Sequence, residues 1–323
     1  MREKSPPGLN LWDGDYSVER LSDFYRSIFG CKTYKISLDA GCSCPNRDGS
    51  KGRGGCIFCS QSGSGDYASN RLLSIREQVE DGKSLVQAKV SGRSGKRMGK
   101  YIAYFQNFSS TYGNAEGLIK KYMEALSCPD VEGLAIATRA DCLDEKMLSS
   151  LAEISKKHFV QLELGLQTSN VSTAERINRC HTNQDYIDAV SRIKKASSDI
   201  HIVSHLIFGL PGENERDMMD SVRFVLQYNS KDDATGIGQF FGLKITVLYV
   251  LENTALAQLY RKGEYIPLTK EEYFSLLEKA LPLLPQNCIV HRLTGDPPKK
   301  LLLAPAWTAD KKRVINDLSK IFS

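Results

Sequence analysis

Three cysteines on one glycine-rich loop are the residues whose type and spacing most directly predict chemistry. Cys44 precedes Cys56 by twelve residues, and Cys56 and Cys59 form a CxxC pair. Glycine lets the backbone turn tightly, so thiolates on this loop could wrap an iron–sulfur cluster. Three thiolates would leave one iron of a four-iron cluster without a protein ligand, and an open iron can bind and reduce a small molecule.

The cysteine spacing alone leaves other kinds of site open. A structural zinc site needs four ligands, and Cys42 would complete one with the other three. A CxxC pair is also typical of a redox-active dithiol. The chain has nine cysteines, an odd number at uneven spacing, which argues against a disulfide framework. The choice between zinc and iron–sulfur depends on the segments that follow.

Polar residues stand at or near the ends of several predicted strands. Parallel α/β sheets bind ligands at the carboxyl ends of their strands, so these side chains are candidate ligand contacts. Gly209 and Gly212 of a GLPG turn would allow close backbone approach there. The candidate residues are Gln106, Thr138, Glu163, Gln167 and His205.

These side chains would be positioned by six alternating strand and helix segments. Strands are predicted at 33–38, 101–106, 133–137, 159–165, 201–208 and 243–250. Such alternation is typical of βα units on a parallel sheet, and six units fall short of the eight of a closed barrel. We expect an α/β fold, an open (β/α)6 partial barrel. The expected divisions are an N-terminal extension at 1–30, a barrel core at 31–285 and an irregular C-terminal tail at 286–323, packed on the barrel.

Composition narrows the class of protein. The 323 residues are 41% hydrophobic and 25% charged, with a net charge of +5. No apolar run is long enough for a membrane helix and no signal peptide is evident, so a cytoplasmic protein without a membrane partner is expected. A basic stretch could contact RNA phosphates, although no aromatic residues are interleaved with it. Its residues are Lys89, Arg93, Lys96, Arg97 and Lys100.

Several ordered motifs resemble one family. The cluster loop SLDAGCSCPNRDGSKGRGGCIFC, then YFQ-x4-TY, TR-x-DCL, ELGLQT, H-x-I-x-GLPGE, HRLTGDPP and AP-x-W, are similar to radical S-adenosylmethionine (SAM) proteins of the YhcC/YtqA type, in the Elongator-like branch. The resemblance spans residues 34–307. It implies the partial barrel and one [4Fe-4S] cluster held by Cys44, Cys56 and Cys59, with Cys42 left out. The chain departs from the family pattern at Ala140, usually Pro, and at Cys180, usually Gly.

The resemblance also implies which residues contact SAM. Phe58 would pack against the adenine, and Gln106 would receive the amino group of the methionine part. Thr138 would face the same site. Glu163, Gln167 and His205 would contact ribose hydroxyls or the amino group, and Arg179 would pair with the SAM carboxylate. The C-terminal motifs, including Arg292 and Asp296, are hypothesised to shape the substrate pocket.

The implied reaction begins with reduction of SAM, which needs an external one-electron donor of the flavodoxin or ferredoxin type. The resulting 5′-deoxyadenosyl radical would abstract a hydrogen atom from the substrate. The Elongator-like resemblance points to wobble uridine of tRNA, with a carboxymethylaminomethyl group at C5 remodelled to an aminomethyl form. Two alternatives remain: a radical SAM enzyme acting on a small metabolite, tetrapyrrole or protein, and a non-enzymatic zinc-binding RNA module.

Overall fold

The computed structural model describes residues 19–63, 68–90, 99–230 and 239–321. Arg93, Lys96 and Arg97 of the predicted basic stretch lie outside them. The strands are β1 (Glu19–Arg20), β2 (Lys32–Leu38), β3 (Gly99–Phe105), β4 (Val131–Arg139), β5 (Phe159–Gln167), β6 (Ile200–Phe208), β7 (Phe241–Val247), β8 (Val250–Leu251), β9 (Cys288–Arg292) and β10 (Leu302–Ala304). The helices are α1 (Leu21–Phe29), α2 (Ile75–Val90), α3 (Ala115–Leu126), α4 (Glu145–Ser155), α5 (Val171–Arg176), α6 (Asn183–Ala196), α7 (Glu215–Asn229), α8 (Ala255–Arg261), α9 (Lys270–Ala280) and α10 (Lys311–Ile321).

Eight strands form one parallel sheet in the order β1-β9-β7-β6-β5-β4-β3-β2. Strands β2 to β7 follow chain order across the sheet, as consecutive βα units do. The edge strands β1 and β2 form no ladder with each other among the described residues, so the sheet stays open. This architecture confirms the predicted α/β partial barrel. A separate antiparallel pair joins β8 to β10.

The chain after residue 284 differs from the irregular tail that was expected. Cys288–Arg292 forms β9, which inserts in parallel between β1 and β7, and α10 follows near the C-terminus. Strand β9 has only five residues and ends on two polar ones, His291 and Arg292. It therefore lacks the apolar run by which buried strands are recognised in a sequence. The main sheet thus has eight strands, two more than the alternation predicted, and the additional ones are β1 and β9.

Alternation along the strands divides apolar from polar side chains. On β5, Leu162 and Leu164 belong to the main core between the sheet and the outer helices. The intervening residues Gln161 and Glu163 make their hydrogen bonds inside the barrel. Because successive side chains of a strand point to opposite faces, this pattern lines the interior with polar groups. The interior is thus the part of the fold where charged side chains meet.

Aromatic rings from α1 fill the amino-terminal end of the barrel. Tyr25 and Phe29 pack edge-to-face on Phe159, the first residue of β5, with ring centroids 5.8 and 5.6 Å apart. Phe24 packs on His201 near the start of β6, at 4.8 Å. The hydroxyl of Tyr25 donates to Oε1 of Gln161 at 3.0 Å. Such packing adds about 0.5–1.5 kcal/mol per ring pair to the burial of apolar area.

Several helices that cover the sheet begin at residues whose side chains accept hydrogen bonds from backbone N–H groups of the first helical turn. Thr182, Asn214 and Thr269 each form a capping box with the residue three positions later. Each such cap stabilises its helix by about 1 kcal/mol. The sequence places these caps directly before apolar helical patterns, which explains why the helices begin there. None of the helices in the described ranges has the length and apolarity required to cross a membrane.

Candidate functional site

The cysteine loop follows β2 and is fastened to the turn between α5 and α6. Cys44, Cys56 and Cys59 are all half-buried free thiols. The Nδ2 atom of Asn46 donates to the carbonyl of Asn178 at 2.5 Å, and Nδ2 of Asn178 donates to the carbonyl of Gly55 at 2.8 Å. These reciprocal bonds hold both arms of the loop against the barrel, so the thiols keep a fixed position above the strand ends.

The three thiols interact electrostatically. Burial, reinforced by the charges of Cys59 and Cys44, raises the pKa of the Cys56 thiol to about 12. Nδ2 of Asn46 lies 3.8 Å from Sγ of Cys56 and opposes that shift. The thiolate form of Cys56 is therefore disfavoured by its two neighbours in the absence of a metal. A bound cationic centre would remove this repulsion, which is the condition that a metal cluster satisfies.

The donor set is three cysteine thiols on one loop, which is the ligand type of iron–sulfur clusters. Among the described residues, no three His, Cys, Asp or Glu side chains are grouped closely enough to hold one metal ion. A [4Fe-4S] cluster binds each thiolate through a different iron and therefore holds its ligands further apart than zinc does. Cys42 lies in the hydrophobic core and donates to the carbonyl of Ser110 at 3.5 Å. It is thus not placed to complete a four-cysteine zinc site.

A cleft of about 240 Å³ opens beside the loop, at the carboxyl half of the sheet. Phe58, Cys59 and Ser60 of the loop form one wall. Strands β3 to β7 and β9 supply the rest. The cleft brings together Phe58 and five further predicted cofactor contacts, two of which lie on β5. These are Gln106, Thr138, Glu163, Gln167 and His205.

Each of these cleft residues has a defined local setting. Phe58 packs against a smaller apolar cluster, distinct from the main core, that contains Leu248 and Val250. Oε1 of Gln106 accepts from Ser37 at 3.4 Å, and the hydroxyl of Thr138 lies 2.6 Å from that of Thr111. Their side chains are therefore oriented by neighbours rather than free to rotate.

Gln167 takes a backbone conformation that aims it at the cleft. Its φ of 63° lies in the left-handed region, where β5 bulges against β6. A Cβ atom at Gly165 would stand 2.5 Å from Nε2 of Gln167, so a larger residue there would displace the amide from this position. The strand end is thus shaped to present this amide.

Glu163 lies at the floor of the cleft, fully buried in the middle of β5. Although burial would raise the pKa of Glu163, the charges of Lys244 and Lys35 hold it well below its ordinary value. Five donors surround its two oxygens. They are Lys35 Nζ at 2.6 Å, Tyr104 OH at 2.7 Å, His205 Nε2 at 2.9 Å, Gln161 Nε2 and Lys244 Nζ.

This saturation corrects the expected role of Glu163. A carboxylate has about four lone-pair positions, and all are used by protein donors. Glu163 therefore orients Lys244, Lys35 and His205 rather than offering a free acceptor to a ribose. Burial lowers the pKa of His205 to about 4, so its imidazole is neutral and donates through Nε2.

Arg179 also differs from its expected role. It is buried, and it does not line the cleft. Its guanidinium donates to the carbonyls of Leu166, Thr168 and His181 at 2.7–2.9 Å, and to Asn183. A ligand carboxylate would have to displace these bonds. Arg179 therefore fixes the turn after β5, and sequence spacing alone could not distinguish this backbone clamp from a ligand contact.

Two lysines that the sequence analysis did not single out lie at the cleft floor. Lys244 is on β7 and lines the cleft, while Lys35 is on β2 and reaches Glu163 from across the interior. Burial lowers the pKa of Lys244 to about 7, although the charge of Glu163 acts to raise it. The available signal was a lysine in the centre of each apolar strand, FGLKITV and KTYKISL.

The C-terminal motif HRLTGDPP divides between two places. Arg292 lines the cleft beside Lys244, its pairing partner in the sheet register. Nε2 of His291 lies 2.8 Å from Nε2 of His201, and the two rings stack. Asp296 instead pairs with Lys311 at the start of α10. Of these three residues of the motif, only Arg292 lines the cleft and is placed to contact a ligand there.

Comparison with known proteins agrees with this architecture. Residues 48–225 match the model of the radical SAM superfamily, and residues 241–322 match the radical SAM C-terminal domain. The chain is 38% identical to YtqA of Bacillus subtilis over 295 residues, covering 91% of this chain and 86% of YtqA. It is 32% identical to YhcC of Escherichia coli strain K12 over 304 residues, covering 94% of this chain and 88% of YhcC.

Solved structures show the same fold at low sequence identity. The Elp3 protein of Methanocaldococcus infernus, with an N-terminal deletion, superposes with a TM-score of 0.61 at 15% identity. The match covers 90% of this chain and 63% of that one, so this chain spans just under two thirds of its length. The chain thus belongs to the radical SAM superfamily, whose enzymes use a [4Fe-4S] cluster and S-adenosylmethionine, and within it to the group that contains YtqA and YhcC.

Proposed function

We propose that this radical SAM enzyme modifies tRNA at the wobble uridine, remodelling a carboxymethylaminomethyl group at C5 toward an aminomethyl group. One observation carries the proposal: a deep cleft with a cationic floor opens beside the three-cysteine loop. A side chain that projects from a base and ends in a carboxylate matches that shape and charge.

Relatives support the same class of substrate. Over 170 residues the chain is 28% identical to a protein of Methanocaldococcus jannaschii named tRNA uridine(34) acetyltransferase. That match covers 53% of this chain and 29% of the relative. Uridine 34 is the wobble position. We carry the base over to this chain as part of the proposal, and not the acetyl transfer.

We assign Cys44, Cys56 and Cys59 as the cluster ligands. Their loop is held in place by Asn46 and Asn178. A cationic metal centre would favour the thiolate form of Cys56, which Cys59 and Cys44 disfavour. A bound cluster and SAM, with one electron from an external donor of the flavodoxin or ferredoxin type, would supply a 5′-deoxyadenosyl radical that abstracts a hydrogen atom from the CH2 beside the substrate carboxylate. Return of one further electron to the oxidised cluster would leave an iminium, and hydrolysis by water would break the C–N bond, releasing the two carbons as glyoxylate and leaving the aminomethyl group.

Residues of the cleft wall orient the cofactor in this proposal. Phe58 offers an aromatic face beside Cys59, and Gln106, Thr138 and Gln167 present polar groups along the strand ends. Glu163 does not take part directly; it holds His205 and Lys244 in position. In this proposal the cofactor contacts lie at the strand ends, and the charged groups lie deeper in the cleft.

Analysis of tRNA nucleosides tests the proposal. Cells that lack this gene are expected to accumulate carboxymethylaminomethyl uridine and lose aminomethyl-derived uridine. The wild-type gene should restore the product, Cys56→Ser should not, and Cys31→Ser should restore it because that half-buried cysteine lies outside the loop. An unchanged nucleoside profile in cells without the gene would reject the tRNA substrate.

A further inference from the structure

The floor of the cleft carries more positive than negative charge. Lys35, Lys244 and Arg292 are three basic groups, and Glu163 is the one acid among them, so the basic groups outnumber the acid by two. Among the described residues that line the cleft, the remaining cation is Arg139, and it is already matched by Asp141 at 2.9 Å. The excess therefore belongs to the floor itself.

Among the described residues, no acidic side chain pairs with Arg292. Arg292 is half-buried and lines the cleft, and its guanidinium makes no hydrogen bond or ion pair with another described residue. The ammonium of its neighbour Lys244 bonds only to Glu163 and Tyr104 within the described ranges. Confined, uncompensated charge is costly in a protein interior, because desolvation is not repaid by a counter-charge. An anion in the cleft would supply that counter-charge.

We propose that Lys244 and Arg292 form a subsite for a carboxylate of the substrate. The planar guanidinium of Arg292 suits a bidentate carboxylate, and Lys244 adds a point charge on the adjacent strand. Identifying the carboxylate as the end of the uridine C5 side chain rests on the proposed function. The anion subsite itself rests only on the charges and the cleft.

The depth of the subsite favours a terminal carboxylate over an RNA phosphate. Lys244 pairs in register with His205 and Arg292, in the middle of β7 rather than at its carboxyl end. A phosphodiester is bonded to the chain on both sides and cannot enter a narrow cleft end-first. A carboxylate at the end of a short substituent can reach the floor.

The first test uses acetate as the probe and the reconstituted full-length protein. Acetate should raise the thermal unfolding midpoint of the wild type above that in chloride at equal ionic strength. Arg292→Gln should lose this shift, and Arg292→Lys should keep part of it. Arg216→Gln removes an exposed charge and should behave as the wild type. The subsite is rejected if acetate has no effect, or if phosphate gives an equal shift.

The second test uses tRNA that carries carboxymethylaminomethyl uridine. Arg292→Gln should raise KM by about tenfold or more, while SAM affinity and substrate-free formation of 5′-deoxyadenosine stay unchanged. An equal loss of SAM affinity would assign the carboxylate to SAM and overturn the proposal. If acetate binds through Arg292 but the tRNA is not modified, the proposed function fails and the subsite stands. If the tRNA is modified equally well by Arg292→Gln, the subsite fails and the function stands.

Discussion

Lys35 on β2 and Glu163 on β5 form an ion pair of 2.6 Å, although two strands separate them in the sheet. In a flat sheet, strands three places apart lie about 14 Å from each other. The pair can form because the sheet curls, so that both side chains point into one interior. The curvature of the barrel and the charge at its floor are therefore parts of the same arrangement.

Loss of any one loop cysteine should prevent cluster assembly. Cys44→Ser, Cys56→Ser and Cys59→Ser are each expected to remove most of the absorbance near ~400 nm after anaerobic reconstitution, because each thiolate holds a different iron. Cys31→Ser and Cys42→Ser should retain it. Iron and sulfide analysis of the same samples provides the check. Full absorbance in Cys56→Ser would contradict the ligand assignment, and its loss in Cys42→Ser would return Cys42 to the ligand set.

Gly52→Ala should loosen the cysteine loop without changing any of the three cysteines assigned to the cluster. A Cβ atom at this position would stand 2.2 Å from Oδ1 of Asn46 and 2.9 Å from Sγ of Cys180. Asn46 would have to move, and its bond to the carbonyl of Asn178 would be lost. We expect faster bleaching of the cluster in air. Gly117→Ala, where the nearest atom is 4.0 Å away, is the matched control and should bleach at the wild-type rate.

Glu163→Gln should destabilise the protein strongly. The change leaves the buried ammonium groups of Lys35 and Lys244 without a counter-charge. Breaking a buried ion pair in this way lowers the free energy of unfolding by about 3–5 kcal/mol, which urea denaturation can measure. Glu153→Gln, at an exposed pair with Lys156, should have little effect. Adding Lys244→Met to Glu163→Gln should recover part of the loss; no recovery would refute the electrostatic origin.

Binding of acetate should weaken as pH rises through 7. Burial lowers the pKa of Lys244 to about 7, so its ammonium is present below that pH and is lost above it. Burial lowers the pKa of His205 to about 4, so its imidazole stays uncharged as the pH rises through 7. The groups that face Lys244 are Glu163, Tyr104, His205, Lys35 and Arg292.

The Lys244→Arg variant tests whether the titration of Lys244 causes the pH dependence of acetate binding. A guanidinium stays charged at all these pH values, so acetate affinity should become independent of pH between 6 and about 8.5. Calorimetric titration of both proteins at matched ionic strength would show it. A wild-type affinity that does not change across pH 7 would remove Lys244 from the subsite.

Stability should also depend on Glu213. Burial raises the pKa of Glu213 to about 7, assisted by the charge of Asp217 and opposed by hydrogen bonds from Thr168 and Thr173. Between about pH 4.5 and 7 the folded chain binds this proton more tightly than the unfolded chain does. The contribution of Glu213 therefore falls as pH rises, by at most about 1.4 kcal/mol per pH unit. Glu213→Gln should flatten that part of the stability profile in urea denaturation at pH 5, 6 and 7; an unchanged slope would contradict it.

Much of the architecture was accessible from the sequence, because its strands carry strong apolar patterns and its helices begin at caps. The predicted strand at 159–165 lies within Phe159–Gln167, and the one at 201–208 within Ile200–Phe208. Strand β9 was missed, since His291 and Arg292 interrupt its short apolar run. A strand of five residues that ends in two polar side chains leaves too short an apolar run for a local pattern to identify.

The candidate site was only partly predictable, for a different reason. Motifs identified residues at strand ends, and the cleft does gather Gln106, Thr138, Gln167 and His205. The motifs did not reveal which hydrogen bonds each side chain already makes within the protein. The clamp made by Arg179 and the five donors around Glu163 depend on contacts between distant segments, and a linear pattern does not encode them.

The aromatic rings of α1 cover the amino-terminal end of the barrel. Tyr25 and Phe29 pack on Phe159 at the start of β5. Beyond these rings, Gln161 and Glu163 on the same strand are fully buried. The helix that precedes β2 therefore insulates the charged interior from solvent on the side away from the cysteine loop.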